Sequence, residues 1–341
     1  MEIESEKLLL FGRQYTKSNS KIVGGVITSF EILKDTLDEL NVSYEVVDTN
    51  YRNYRNRLYA LIHVLWVTIK GFNGSKYISL HGTATDFFYL APILVFFAKV
   101  VYKKKISLRK FAGGFDEAYE NANYVSKLLA RYSLMNADAV FFQTKYLIKR
   151  FKEYNNNTYW MPTTRKRVNN TTPDNYDYKF VFVGQVKYKK GIGEIIDVFS
   201  SLNDKYSVDI YGPLDEDINK EIFCHKNITY KGLLATNEVQ PTLALYNVML
   251  MPTHFKREGY PGVIIEAFSV GMPVIATNVR GIKELVPENA GILIDPENVE
   301  QLKNAVIGLS QLTYKSYRKF SLEYFEEFDV ISVTKKYLER L

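Results

Sequence analysis

Short runs of branched and aromatic residues recur along this chain, separated by helix-length amphipathic segments. Leu8–Phe11, Ser43–Val47, Lys76–Leu80, Lys105–Leu108, Ala139–Gln143, Lys179–Val183, Ser207–Tyr211, Asn247–Met251 and Pro273–Ala276 read as buried strands. Thr28–Leu40, Tyr124–Met135, Gly193–Leu202 and Val299–Leu309 carry the 3.6-residue period of helices. A strand buried on both faces loses its polar alternation, and a parallel neighbour needs a helix-length crossover. The alternation therefore predicts an α/β fold, with parallel sheets covered by helices on both faces.

The polar tract Tyr154–Asp177, with its asparagine clusters and two prolines, divides the pattern into two halves. We expect an N-terminal Rossmann-like domain over 1–165 and a C-terminal one over 173–316. The amphipathic stretch 317–341 is expected as a helix crossing back to the first domain. Ligands of open α/β sheets bind at the carboxyl ends of the strands, so a cleft between two such domains is the expected site.

Several function classes are disfavoured. One cysteine, Cys224, allows no internal disulfide, and four scattered histidines lack metal-ligand spacing. The first residues are acidic, unlike a secretory signal. The apolar run Phe87–Tyr102 is short for a membrane span and is interrupted by Pro92 and Lys99, so a buried helix is expected. Residues 1–170 hold 25 Lys+Arg against 15 Asp+Glu, whereas 171–341 hold 19 against 23. A basic first half suits an anionic partner such as phosphate or acidic lipid. No nucleic-acid-binding motif accompanies it, so nucleic acid is not expected as a partner.

The densest chemical signal lies at 257–266, REGYPGVIIE. Glu258 sits on a tight loop with Gly259, Tyr260, Pro261 and Gly262, after a strand and before an apolar helix. Glu266 lies about one turn inside that helix. The backbone N–H groups of Gly262 and Val263 then point outward as an anion site. A carboxylate in such a place can accept the hydroxyls of a ribose. Read alone, the spacing also fits an ordinary loop with two solvated glutamates.

The longer string decides. Pro252-Thr253, Glu258-Gly259-Tyr260, Glu266-Ala267, Gly271-Met272-Pro273-Val274-Ile275-Ala276, Gly281, Glu284 and Gly291 to Pro296 follow one another in order. The chain thereby closely resembles the donor-binding half of the family 4 glycosyltransferases. The resemblance implies two Rossmann-like domains facing across a cleft (GT-B type) and sugar transfer from a nucleotide donor with retained configuration. Glu258 would hold the sugar and Glu266 the ribose.

In that family the loop after the first strand of this half supplies an Arg and then a Lys before glycine. Residues 179–194, KFVFVGQVKYKKGIGE, match the second element with Lys190-Gly191 but place Gln185 at the first. Lys187 or Lys189 is a candidate for the missing charge. Gly24-Gly25, before the first helix, corresponds to a family Gly-Gly that touches donor phosphates. Lys190 and Glu258 are the expected catalytic residues. The expected donor contacts are Gly24, Gly25, Gln185, Lys187, Lys190, Gly259, Tyr260, Pro261, Gly262, Val263 and Glu266.

No cofactor is expected, the nucleotide sugar being a substrate. No metal is expected either, since Asp215-Glu216-Asp217, the one tight candidate for a metal-holding Asp-x-Asp pair, reads as a solvated loop. A family histidine near the sugar has no counterpart in 105–120, and His81 is expected to be structural. The resemblance further implies a saccharide or lipid-linked saccharide acceptor in cell-surface polysaccharide synthesis. The setting would be the cytoplasm, at the inner face of the membrane, where peripheral contact with anionic lipid fits the basic half. The rival readings are a catalytically silent nucleotide-sugar-binding relative and a nucleotide-sugar epimerase.

Overall fold

A computed structural model describes residues 7–15, 25–111, 113–255 and 258–341. The chain divides into two compact units, Met1–Thr164 with Val330–Leu341, and Arg165–Asp329.

The first unit is built on six strands: β1 (Leu8–Gly12), β2 (Tyr44–Asp48), β3 (Tyr77–Gly82), β4 (Lys105–Lys110), β5 (Ala139–Phe142) and β6 (Thr158–Trp160). They pair in the order β2-β1-β3-β4-β5-β6 and every pair is parallel. Side chains alternate across each strand, so the sheet feeds two cores. Leu9, Phe11, Ile78, Leu80, Ile106 and Leu108 face Val64, Phe72, Phe87, Leu94 and Leu134 from the helices on one side. Leu8, Leu10, Tyr77 and Phe141 face Phe30, Leu33, Val333 and Tyr337 on the other.

The apolar run at 87–102 lies in a helix buried on one side only, with Tyr89, Phe96, Val100 and Val101 exposed, and by length and apolarity alone Ala84–Val101 could cross a membrane. Ala84–Phe96 continues through Pro92 into a wider π-type turn, Phe97–Val101, and seals Phe87, Phe88, Ala91, Leu94, Val95 and Ala98.

The second unit repeats the plan with β7 (Lys179–Val183), β8 (Ser207–Tyr211), β9 (Ile228–Gly232), β10 (Val248–Met251), β11 (Val274–Thr277) and β12 (Gly291–Ile294). Their order is β12-β11-β10-β7-β8-β9, again all parallel. The chain winds outward from β7 to β9, returns to the middle, and winds the other way from β10. The strand order therefore reverses between β7 and β10. In such a sheet the crevice at the carboxyl ends of those two strands is where a ligand can reach between the diverging loops.

The stretch 317–341 is not the single helix expected. The helix Gln311–Tyr324 belongs to the second unit, a 3-10 turn Phe325–Phe328 follows, and a separate helix Val330–Leu338 packs in the first. The reason is local: Phe325 and Phe328 are sealed into the second unit, while Val333, Tyr337 and Leu338 face the first sheet's core. Arg165 pairs with Asp329 as an isolated parallel bridge, so the chain enters and leaves the second unit side by side.

Candidate functional site

The loops leaving β7 and β10 are stitched together before any ligand is considered. His254 N–H and the Thr253 hydroxyl both donate to the Lys189 carbonyl at 3.2 Å. Lys189 and Lys190 sit in a short 3-10 turn, Tyr188–Lys190, closed by Gly191 with φ +84°. A Cβ there would lie 2.2 Å from the Pro252 carbonyl oxygen, so only glycine allows both the left-handed turn and this approach.

This stitching puts Lys190 against Glu258. Its ammonium donates to Glu258 Oε1, and the two side chains are 16% and 12% exposed. Lys190 also lies 5.5 Å from the centroid of the Phe255 ring. Gly281 N–H donates to the Glu258 carbonyl at 3.4 Å, holding the loop from behind.

Immediately downstream, the helix Gly262–Ser269 starts after Pro261. Ile264 N–H returns to the Pro261 carbonyl at 3.1 Å, which leaves Gly262 and Val263 as the leading N–H groups of the helix. One turn in, Glu266 is buried, and Arg165 Nε donates to its Oε1 at 2.5 Å. The guanidinium covers the first residue of the helix, since a Cβ on Gly262 would fall 1.8 Å from Arg165 Nη2. Two carboxylates, two cations and a helix N-terminus thus share one end of the second sheet. Such a set can bind hydroxyls and an anionic group side by side.

The other expected residues are distributed as follows. Gly259 and Pro261 lie on the same loop and Gly262 and Val263 open the helix after it, all four partly exposed. Tyr260 is turned inward, 4% exposed, with its hydroxyl donating to Glu284 Oε2 at 3.0 Å, so it supports the loop. Gln185 is exposed and Lys187 half-buried on the β7 loop. Gly25 opens the helix Gly25–Glu39 in the first unit, whereas Gly24 lies outside the described residues.

Arg165 is the residue that sequence reasoning missed. It sits in the polar tract, far from Glu266 in sequence, and only the fold brings them together. Asp215, Glu216 and Asp217 form an exposed turn. Among the described residues no group of three or more His, Cys, Asp or Glu gathers as a metal-ligand set.

In the first unit, His81 is sealed. Its Nε2 lies 3.0 Å from Ser79 Oγ and 3.3 Å from the Tyr337 hydroxyl. Burial, aided by nearby Arg109, holds the imidazole well below its usual pKa range. A neutral ring inside a hydroxyl network ties the last helix to the sheet, which makes His81 structural.

Residues 177–311 match the family described as Glycosyl transferases group 1, the segment that contains Lys190, Glu258 and Glu266. The capsular polysaccharide biosynthesis glycosyltransferase CapM of Staphylococcus aureus is 30% identical over 148 residues, 38% of either chain. The sulfoquinovosyl transferase SQD2 of Arabidopsis thaliana is 30% identical over 125 residues, 35% of this chain and 24% of its own. The matched segments span about a quarter to a half of such curated relatives' own length. The crystal structure of Anabaena HepE with UDP superposes with a TM-score of 0.72 at 15% identity, covering 98% of both chains. The fold is that of the GT-B glycosyltransferases, and the part of the chain that matches the group 1 family is the unit that holds the paired carboxylates and cations.

Proposed function

We propose that the chain is a retaining glycosyltransferase that moves a sugar from a nucleotide donor to a saccharide or lipid-linked saccharide without a metal ion. The observation that carries this reading is the Lys190–Glu258 pair at the point where the second sheet reverses, one loop ahead of Glu266.

In a nucleotide sugar, the hydroxyls of the sugar and the charge of the diphosphate flank the bond that breaks. A carboxylate touching an ammonium offers partners for both flanks at once. Glu258 accepts the sugar hydroxyls, while Lys190 takes the diphosphate together with the N–H groups of Gly262 and Val263. Glu266, steadied by Arg165, accepts from the ribose. As the bond from the anomeric carbon to the diphosphate oxygen breaks, negative charge grows on that oxygen. A fixed cation and helix N–H groups stabilise it more in the transition state than in the bound donor. The acceptor oxygen bonds to the same face of the anomeric carbon and gives its proton to the departing oxygen, so no carboxylate nucleophile is needed.

HepE has been crystallised with UDP and with UDP-glucose, which supports a nucleoside diphosphate sugar as donor class. The name of CapM supports a cell-surface polysaccharide as product. A panel of nucleotide sugars, offered with envelope saccharide acceptors in excess EDTA, tests the reading. Release of free nucleotide with at least one donor, undiminished by the chelator, is expected. No release with any donor would reject it, and release abolished by EDTA and restored by Mg²⁺ would reject the metal-free form.

A further inference from the structure

The first unit carries a surface that this chemistry does not use. On the helix Arg57–Gly74, Tyr59, Ile62, Trp66 and Ile69 are 53%, 57%, 54% and 48% exposed. Steps of three, four and three residues set them on one face, a stripe about 15 Å long. The opposite face buries Ala60, Val64 and Phe72. The helix is therefore apolar on both sides, whereas a helix at the surface of a globular protein ordinarily turns charges outward.

A second exposed apolar group adjoins its end. The Tyr102 hydroxyl donates to the Ile69 carbonyl at 3.4 Å and its ring centroid lies 5.1 Å from that of Phe72. This sets the exposed Val100, Val101 and Lys103 beside the last turns of the striped helix.

Charge selects the partner. From Thr49 to Phe115 there are eleven Lys and Arg and one acidic residue, Asp86. Asp86 is held by the Thr83 N–H at 2.7 Å and by Arg13 at 3.4 Å. Arg52 and Arg55 are exposed before the stripe, Lys70 at its end, Lys103 on the adjoining turn and Lys105 at the start of β4. Lys70 Nζ lies 3.8 Å from the centroid of the Trp66 ring, a cation resting on an aromatic face with its stem along apolar surface.

We propose that this face of the first unit docks on an anionic phospholipid surface. Tyr59, Ile62, Trp66 and Ile69 enter the boundary between headgroups and acyl chains, and Arg52, Arg55, Lys70 and Lys103 meet lipid phosphates. A second copy of the chain fits less well, because a two-fold contact through this patch would set its cations against themselves.

The test needs lipid alone, so its outcome is separate from that of the proposed reaction. Purified protein is sedimented with vesicles of phosphatidylcholine and with vesicles of an equimolar phosphatidylcholine–phosphatidylglycerol mixture. Binding to the mixed vesicles only, weakened by salt, is expected. Ile62→Ser, Trp66→Ser and Ile69→Ser together should lower it at least about tenfold, and so should Lys70→Glu with Lys103→Glu. The urea midpoint checks that both variants remain folded. Failure of the wild type to bind mixed vesicles overturns the proposal, and so does undiminished binding by both folded variants. A lipid-free dimer abolished by the serine substitutions would also overturn it, assigning the stripe to self-association.

Discussion

Gly191→Ala tests the link between backbone geometry and chemistry. The residue has φ +84°, a region that costs an L side chain about 1–2 kcal/mol. Its new Cβ would stand 2.2 Å from the Pro252 carbonyl oxygen, where real Cβ atoms essentially never come within 3.0 Å. The turn carrying Lys190 and the loop carrying Glu258 must therefore part by about 1 Å, the difference between those lengths. Misplacement of that size in a catalytic constellation costs about 100-fold in rate. Nucleotide release should accordingly show kcat falling about 100-fold, while urea unfolding shows a loss of about 2 kcal/mol and a native far-UV spectrum. Turnover within about twofold of wild type in a folded variant would refute the claim that spacing between these two loops sets the rate.

Lys190→Ala should lower kcat about 100- to 1,000-fold, the scale of removing one stabiliser of a developing anion, with thermal unfolding confirming the fold. Arg165→Leu strips a buried carboxylate of its cation and should destabilise by about 3 kcal/mol in urea unfolding; donor KM should rise, and Arg165→Lys should restore part of both. In the first unit, burial pushes the Lys110 ammonium down to about 8. Between that pH and its ordinary value the unfolded chain holds more protons than the fold, so this group makes stability climb with pH across the window. Lys110→Met should flatten the climb in unfolding curves taken from pH 7.5 to 10.

Much of the fold is legible in the chain because central parallel strands are buried on both faces and read as apolar runs. Lys179–Val183 and Ser207–Tyr211 form with the expected bounds. The strands not foreseen, Ile228–Gly232 and Gly291–Ile294, both lie at sheet edges. There one side is unpaired, and residues such as Thr229 and Lys231 face solvent and break the apolar run. In the candidate site, Lys190, Glu258 and Glu266 are legible through the ordered string that carries the family resemblance, since their local spacing alone also fits an ordinary loop. Arg165 is not, since it meets Glu266 across 101 residues. Nor does sequence show that the Tyr260 ring points inward to Glu284 and not to a ligand. The exposed stripe at 59, 62, 66 and 69 is also hidden, because periodicity alone cannot tell which face of a helix apolar on two sides meets the core.

Titrating a nucleoside diphosphate and its sugar-bearing form into the wild type, Lys190→Ala, Glu258→Ala and Glu266→Ala tests the division of labour most directly. Glu258→Ala should keep or tighten binding of the bare diphosphate, since the ammonium loses its competitor, while the added affinity conferred by the sugar disappears. Lys190→Ala and Glu266→Ala should weaken both ligands at least about tenfold. Equal affinities for both ligands across all four proteins would contradict the assignment of sugar, diphosphate and ribose to these three side chains.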